Sequence, residues 1–173
     1  MSKAAAETGL KAIAGQTGIQ VSIVRPPLIY GRGAVGNFQL LIRAVRRGVP
    51  LPFASIRNRR AFLGVQNLSS FIAHRLTAVG GNLETFLVAD NEQVSTPEFV
   101  RQIAEAVGKP ARLVPAPELL LRGLLKLGGR AEAGNSLIGS LEIDMSKALA
   151  SGWRPELSQQ AGLQLAVGAP RQD

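Results

Sequence analysis

Apolar residues recur at helical spacing over residues 3–17, with Ala6, Leu10, Ile13 and Ala14 near one face and Gly15 and Gly18 marking the end. The pattern then changes. "IQVSIVRP" is a short run of β-branched and apolar residues running into prolines, the mark of a buried parallel strand. "PPLIYGRGAVG" keeps neither period and reads as a loop. "FQLLIRAVRRG" returns to helical spacing, with Asn37 as N-cap and Leu40, Leu41, Ala44 and Val45 facing inward. "VPLPF" is extended, because each proline restricts the residue before it. "RRAFLGV" predicts a strand, "QNLSSFIAHRLTAVGG" a helix stopped by two glycines, and "ETFLVAD" another strand.

"STPEFVRQIAEAVGK" is the clearest helix: Ser95 or Thr96 caps it, Pro97 starts it, Glu98 lies in its first turn and Gly108 ends it. "ARLVPAP" predicts a short strand into a turn, and "ELLLRGLLKLGG" a core or interface helix. "SLEIDMSKALASGWRP" reads as a strand, a helix and a glycine stop, and the last dozen residues as a frayed end. Strands alternate with helices, so the class is α/β, with no internal repeat and no linker.

Composition narrows the chemistry. The 173 residues suffice for a domain with a core, and 46% apolar content suits a folded chain. No stretch is long and apolar enough to cross a membrane. Early Glu7 and the lack of a continuous apolar centre separate the first residues from a secretory signal. With no cysteine, thiolate chemistry and disulfides are excluded. The one histidine, His74, sits in an amphipathic pattern and reads as structural, and no cluster of metal ligands is present.

The net charge of +8 is unevenly spread: from Thr8 to Leu83 there is no Asp or Glu, while Lys11, Arg25, Arg32, Arg43, Arg46, Arg47, Arg57, Arg59, Arg60 and Arg75 fall in that segment. Such a field favours an anionic partner, above all phosphate, although most of these arginines form an ordinary solvated face. A basic nucleic-acid-binding module is one alternative. Aromatics are only 5%, with no ordered platform among the arginines, so single-strand stacking is poorly supported.

"GRGAVG" matches G-x-G-x-x-G at Gly31, Gly33 and Gly36. As a dinucleotide loop it should follow directly from a strand and precede a ribose-binding acid by about 20 residues. Pro26 and Pro27 intervene after the strand, and the acid-free segment supplies no carboxylate, so the motif is rejected as a cofactor loop. A loop that wraps a ligand remains open.

Several pieces in order, "SK" on a helix, "RPPLIYGRG", Asn37 opening a helix, "GVPLPF", "NRRAFLGVQNL", "FLVADNEQVSTPEFVRQIAEAVG" and "SGWRP", resemble the second half of an extended short-chain dehydrogenase/reductase. Within that NAD-dependent epimerase/dehydratase family the likeness is greatest to bacterial UDP-hexose 4-epimerases of surface-polysaccharide synthesis. The resemblance implies an incomplete Rossmann-type fold and a cytoplasmic enzyme. Residues 1–35 would be the last helix, strand and loop of the NAD-binding domain, and 36–61 a substrate-binding segment. Residues 62–93 would return to the NAD-binding sheet, and 94–173 would form the C-terminal substrate-binding domain.

The family's catalytic motif is Tyr-x-x-x-Lys, and Lys3 matches its lysine. The tyrosine would lie four places before Lys3, ahead of Met1, and the glycine-rich cofactor loop, ribose acid and catalytic Ser/Thr further upstream. The expectation is therefore a C-terminal fragment, inactive alone and without a tight hold on NAD. By the same resemblance Lys3 would lower the tyrosine pKa and hold the nicotinamide ribose, Pro26 would pass the nicotinamide, and Tyr30 would shape the active-site loop. Asn37 would touch the UDP-sugar, cap its helix, or do both. Leu51 and Phe53 would offer backbone groups to the uracil edge, unless "VPLPF" is a simple proline-rich turn.

Arg60 would pair with the diphosphate, with Arg59 the rival if the register slips by one. An acid often stands in relatives where this chain has Gln66 or Asn67, and a second diphosphate arginine has no match near "GSLEID". Trp153 reads as packing. A nucleotide-sugar dehydratase or reductase is the alternative within the family. Exposed faces over residues 4–14 and 66–79 would make the chain associate, with itself or with another polypeptide.

Overall fold

The computed structural model describes residues 3–78, 80–117, 121 and 137–168. Its elements run α1 (Lys3–Thr17), β1 (Val21–Arg25), β2 (Leu28–Tyr30), α2 (Asn37–Arg46), β3 (Arg60–Gly64), α3 (Val65–Thr77), β4 (Leu83–Leu87), β5 (Gln93–Val94), α4 (Thr96–Val107), α5 (Ser146–Ala150) and α6 (Gln159–Val167). The class is α/β, as expected. β1 pairs in parallel with β4, Val21 opposite Leu83 through Arg25 opposite Leu87. β2 pairs in parallel with β3, and β3 pairs antiparallel with β5 through Arg60 and Ala61.

α4 forms where its caps foretold. The Ser95 hydroxyl accepts from the Glu98 N–H at 3.3 Å, and Gly108 closes the helix at φ 71°. Its buried stripe, Phe99, Val100, Ile103 and Ala104, joins Phe38, Leu41, Ile42 and Val45 of α2 in the main core. Phe62 of β3 stacks on Phe99 with ring centroids 3.7 Å apart. A second core lies under α3 and α5, where Phe71 meets Trp153 edge-to-face at 5.2 Å and the Trp153 indole donates to Ser70 Oγ at 3.0 Å. Trp153 is packing, as read. His74 is structural too, with its Nε2 3.0 Å from the Ser151 carbonyl.

Several local expectations fail. The supposed loop after Pro27 begins as β2, so the glycines of "GRGAVG" do follow a strand directly; the missing acid still argues against a dinucleotide loop. Asn37 is the first helical residue, and the N-cap is Gly36, whose φ of 81° and ψ of −142° suit glycine alone. The α2 stripe starts at Phe38, which leaves Leu40 41% exposed. "ARLVPAP" contributes a single bridge at Leu113, and "SLEID" a single bridge at Leu141. The end is not frayed through residue 167: Ser158 caps α6, and Leu163 and Val167 enter the main core. The helix expected over "ELLLRGLLKLGG" lies outside the described residues except for Leu121, which is buried in that core.

α1 buries only Ala14, and Leu10 and Ile13 are 42% and 47% exposed. On α3, Ile72 and Leu76 are likewise open. Both expected exposed faces are present.

Candidate functional site

The Glu7 carboxylate accepts from Arg25 Nε at 3.1 Å and also from its Nη2. This pair ties the first turns of α1 to the C-terminal end of β1. Lys3, one turn before Glu7, therefore lies at the same end of the strand as Pro26, and both are exposed. The carboxyl ends of parallel strands are where open α/β sheets bind ligands. The Arg25 hydrogen bond holds the Glu7 pKa below its ordinary value of 4.5. Its contribution is present above the unfolded value and lost as pH falls through the lower folded one. On acidification below about 4.5, hydrogen exchange in the first turns of α1 should accelerate, and Glu7→Gln should remove that pH step. Equal pH responses in the two proteins would refute it.

Behind this end lies a buried polar network. Asp90, fully buried, accepts from the Tyr30 hydroxyl at 2.7 Å, from the Gly64 N–H at 3.1 Å and from Asn67 Nδ2 at 2.7 Å. The Tyr30 oxygen also lies 3.2 Å from the Gln159 carbonyl of α6. Asn67 satisfies its other positions against the chain before α6: Nδ2 donates to Leu157 O at 2.9 Å, and Oδ1 accepts from Glu156 N and Leu157 N, each at 3.0 Å. An acid at this position would set a second carboxylate against Asp90, so the departure at Asn67 has a physical reason. Burial first, then Asp90 and Glu92, pushes the Tyr30 phenol far above its ordinary value. Tyr30 is a hydrogen-bond donor that anchors the glycine loop from behind, and it cannot act as a phenolate base.

Arg60 starts β3 with its side chain buried, and its Nη1 donates to the Gly139 carbonyl. Burial lowers its pKa, since the charged guanidinium loses water. The same carbonyl accepts from Asn58 Nδ2 at 3.1 Å. Asn58 also donates to Leu137 O and Thr96 Oγ1, each at 3.0 Å, while its Oδ1 accepts from Thr96 N at 2.8 Å. "GSLEID", which lacks the anticipated second arginine, is thus stapled beside Arg60, where Leu141 bridges it. Arg59 points elsewhere: its Nε is 3.5 Å from Glu142, and both side chains are exposed.

Leu51 and Phe53 are used differently from the expectation. Leu51 N donates to Arg112 O at 2.8 Å, Leu51 O accepts from Val114 N at 2.9 Å, and Phe53 N donates to Leu51 O at 2.9 Å. The prolines do not keep the segment open, because it takes Leu113 as a neighbour and buries the Phe53 ring. Asn37 is half-buried at the start of α2.

No family model matches the chain. A UDP-glucose 4-epimerase from Vibrio cholerae is 37% identical over 164 residues, which cover 94% of this chain and 50% of that protein. Along nearly its whole length the chain is thus similar to one half of an extended short-chain dehydrogenase/reductase. A second relative, the N-acetyl-alpha-D-glucosaminyl-diphospho-ditrans,octacis-undecaprenol 4-epimerase of Escherichia coli O157:H7, is 23% identical over 155 residues, 83% of this chain and 47% of that one. The crystal structure of a UDP-glucose 4-epimerase from Thermus thermophilus with NAD superposes with a TM-score of 0.71 at 23% identity, covering 95% of this chain and 51% of that one. That likeness shows the fold, a Rossmann-type α/β arrangement. The chain spans about half the length of the relatives it matches.

Sequence reasoning missed Asp90, Asn58 and the role of Asn67. Asp90 was visible only as the polar end of "FLVAD", and Asn58 only as a gap among arginines. A polar residue that closes an apolar run, without a turn glycine or proline beside it, was the available signal for Asp90. Among the described residues, no group of His, Asp or Glu could hold a metal, and no helix is long and apolar enough to cross a membrane.

Proposed function

We propose that this chain is the nucleotide-sugar-binding portion of an NAD-dependent UDP-sugar 4-epimerase. The observation that carries the reading is the 37% identity to a UDP-glucose 4-epimerase along 94% of the chain. The site agrees with it chemically. The Arg60 guanidinium, always charged and planar, would offer a diphosphate forked, charge-assisted hydrogen bonds. Lys3 and Pro26, at the carboxyl end of β1, would face the reacting end of the ligand. There an ammonium favours ionisation of a tyrosine one helical turn before it.

NAD, when bound to an intact enzyme, would supply reversible hydride transfer at the sugar C4. This chain's residues would bind and orient the UDP-sugar, exclude water behind the Tyr30 loop, and supply the Lys3 charge. Alone, it is expected to bind without turnover and without retaining NAD tightly. In a full-length enzyme carrying this portion, Arg60→Ala should weaken UDP-sugar binding by about 1–3 kcal/mol, measured by titration calorimetry, with Arg59→Ala nearly silent. If Arg60→Ala were silent and Arg59→Ala were not, the diphosphate assignment would pass to Arg59. If both were silent, the substrate reading would fail.

A further inference from the structure

The C-terminal ends of α2, α4 and α6 gather in one place, and cations gather with them. Arg46 Nη2 donates at 2.7 Å to the carbonyl of Val167, the last residue of α6. A Cβ on Gly48, just past α2, would lie 3.7–3.8 Å from the Arg112 guanidinium, and Arg112 follows closely on the end of α4. Arg47, Lys109 and Arg112 are exposed and make no side-chain hydrogen bond or ion pair with a described residue. Acids do not balance them. α2 and α6 carry none; on α4, Glu98 pairs with Arg101 at 2.7 Å and Glu105 accepts from Gln160 at 2.9 Å. Apolar residues stand among the cations. Leu51 N donates to Arg112 O and Val114 N donates to Leu51 O, so the two segments lie side by side. Val49 and Val114 are left 45% and 41% exposed, with Pro50 and Pro115 exposed next to them. Arg46 ends α2 about 15 Å from Asn37 at its start, so this surface lies away from the Lys3 and Pro26 end.

We propose that this end of the molecule docks peripherally onto an anionic lipid bilayer, with Arg47, Lys109 and Arg112 at the headgroup phosphates and Val49 and Val114 at the acyl boundary. The combination selects the partner. Cations alone would suit a nucleic acid or an acidic polypeptide equally well. Exposed valines gain nothing from hydrated phosphates, but they gain at a bilayer, where an apolar region lies just beyond a layer of phosphates. Arginine and lysine keep their charged ends at that layer while their stems lie along apolar surface. A nucleic acid is the poorer fit, because every aromatic ring of the chain is buried and none is left to stack a base. Among the described residues no helix is long and apolar enough to cross the bilayer, so the contact is made at its surface.

The test is co-sedimentation of the chain with vesicles of phosphatidylcholine, alone or with phosphatidylglycerol as about one third of the lipid. The chain should bind the anionic vesicles, scarcely bind the neutral ones, and dissociate as salt rises. Arg47→Ala with Arg112→Ala should weaken binding about tenfold or more. Val49→Ser with Val114→Ser should weaken it about fivefold, and low salt should not restore it. Lys11→Ala with Arg32→Ala removes the same charge elsewhere and should cost less than about threefold. All six positions are exposed, and Arg112→Ala keeps the carbonyl that holds Leu51, so the variants should retain native amide spectra. Equal binding to both kinds of vesicle, equal losses in the two charge pairs, or a silent valine pair would each overturn the proposal. So would binding to polyuridylate that depends on Arg47 and Arg112 without binding to vesicles, which would give the surface to nucleic acid. The proposal does not rest on the epimerase reading: vesicle binding without UDP-sugar binding would leave the docking surface standing, and UDP-sugar binding should be unchanged in the Arg47→Ala, Arg112→Ala chain.

Discussion

Asp90→Ala is expected to cost about 3–5 kcal/mol of folding stability, measured by urea unfolding at neutral pH. The cost comes from the donors left behind. Tyr30 Oη, Gly64 N and Asn67 Nδ2 all converge on the Asp90 oxygens inside the protein; alanine would leave Gly64 N and one Asn67 amide proton without their acceptor and the Tyr30 hydroxyl with only the 3.2 Å Gln159 carbonyl. Each buried, unpaired donor costs about 1–3 kcal/mol, and water cannot enter freely to relieve all of them. The loss is a large share of an ordinary domain's stability of about 5–15 kcal/mol. Asp90→Asn keeps the shape and one acceptor oxygen, and its amide must then face at least one of the donors. Its loss should be real but smaller. Tyr30→Phe removes the hydroxyl shared between Asp90 and the Gln159 carbonyl while leaving the ring packed, and should cost about 1–2 kcal/mol. If Asp90→Ala cost no more than Tyr30→Phe, the convergence of three donors on one carboxylate would not be the source of the stability. The same variant should also loosen the glycine loop after β2, since Tyr30 is what holds that loop to α6.

Gly162→Ala is expected to destabilise by about 2–4 kcal/mol, although the residue sits in a helix, where alanine is the better former by about 1 kcal/mol. A Cβ at position 162 would lie 2.7 Å from the Tyr30 hydroxyl oxygen and 3.2 Å from a ring carbon. Tyr30 cannot withdraw: its ring is wedged between Phe38 and Phe99 at centroid distances of 5.7 and 5.8 Å, and its hydroxyl is held by Asp90. The helix or the network must shift. Gly15→Ala supplies the contrast. It too is helical, but nothing lies within 4 Å of its Cβ position, so alanine there should stabilise by about 0.5–1 kcal/mol. Opposite signs in the two variants, read from thermal or urea midpoints, would confirm that α6 seats on Tyr30. A stabilised Gly162→Ala would show that it does not.

Asp90 and Gly162 also mark how far pattern reading reached. α4 was legible because everything that makes it a helix is local: a serine hydroxyl, a proline in the first turn, an apolar stripe and a left-handed glycine. α1 was legible for the same reason, down to its exposed apolar side chains. β2 was missed because three residues between a proline pair and a glycine loop carry no period of their own; they become a strand only by pairing with Phe62, Leu63 and Gly64. α6 reads as a frayed end because glycine and alanine weaken its helical pattern, and its helicity depends on seating against α4 and Tyr30. Arg60 was read into a strand, where β3 has it, yet nothing near it in sequence pointed to Gly139.

Residue order along the chain was enough to specify the α/β alternation, the capped helices, the basic segment and the family likeness, since each rests on neighbours within a few positions. The network around Asp90 draws on Asn67, 23 positions away, and joins Tyr30 to Gln159, 129 positions away. Which buried polar group meets which partner, and therefore which glycine cannot become alanine and which arginines gather where helices end, is set by how the elements pack. Hydrogen bonds and excluded volume act over ångströms in space, and periodicity along the chain carries no record of them.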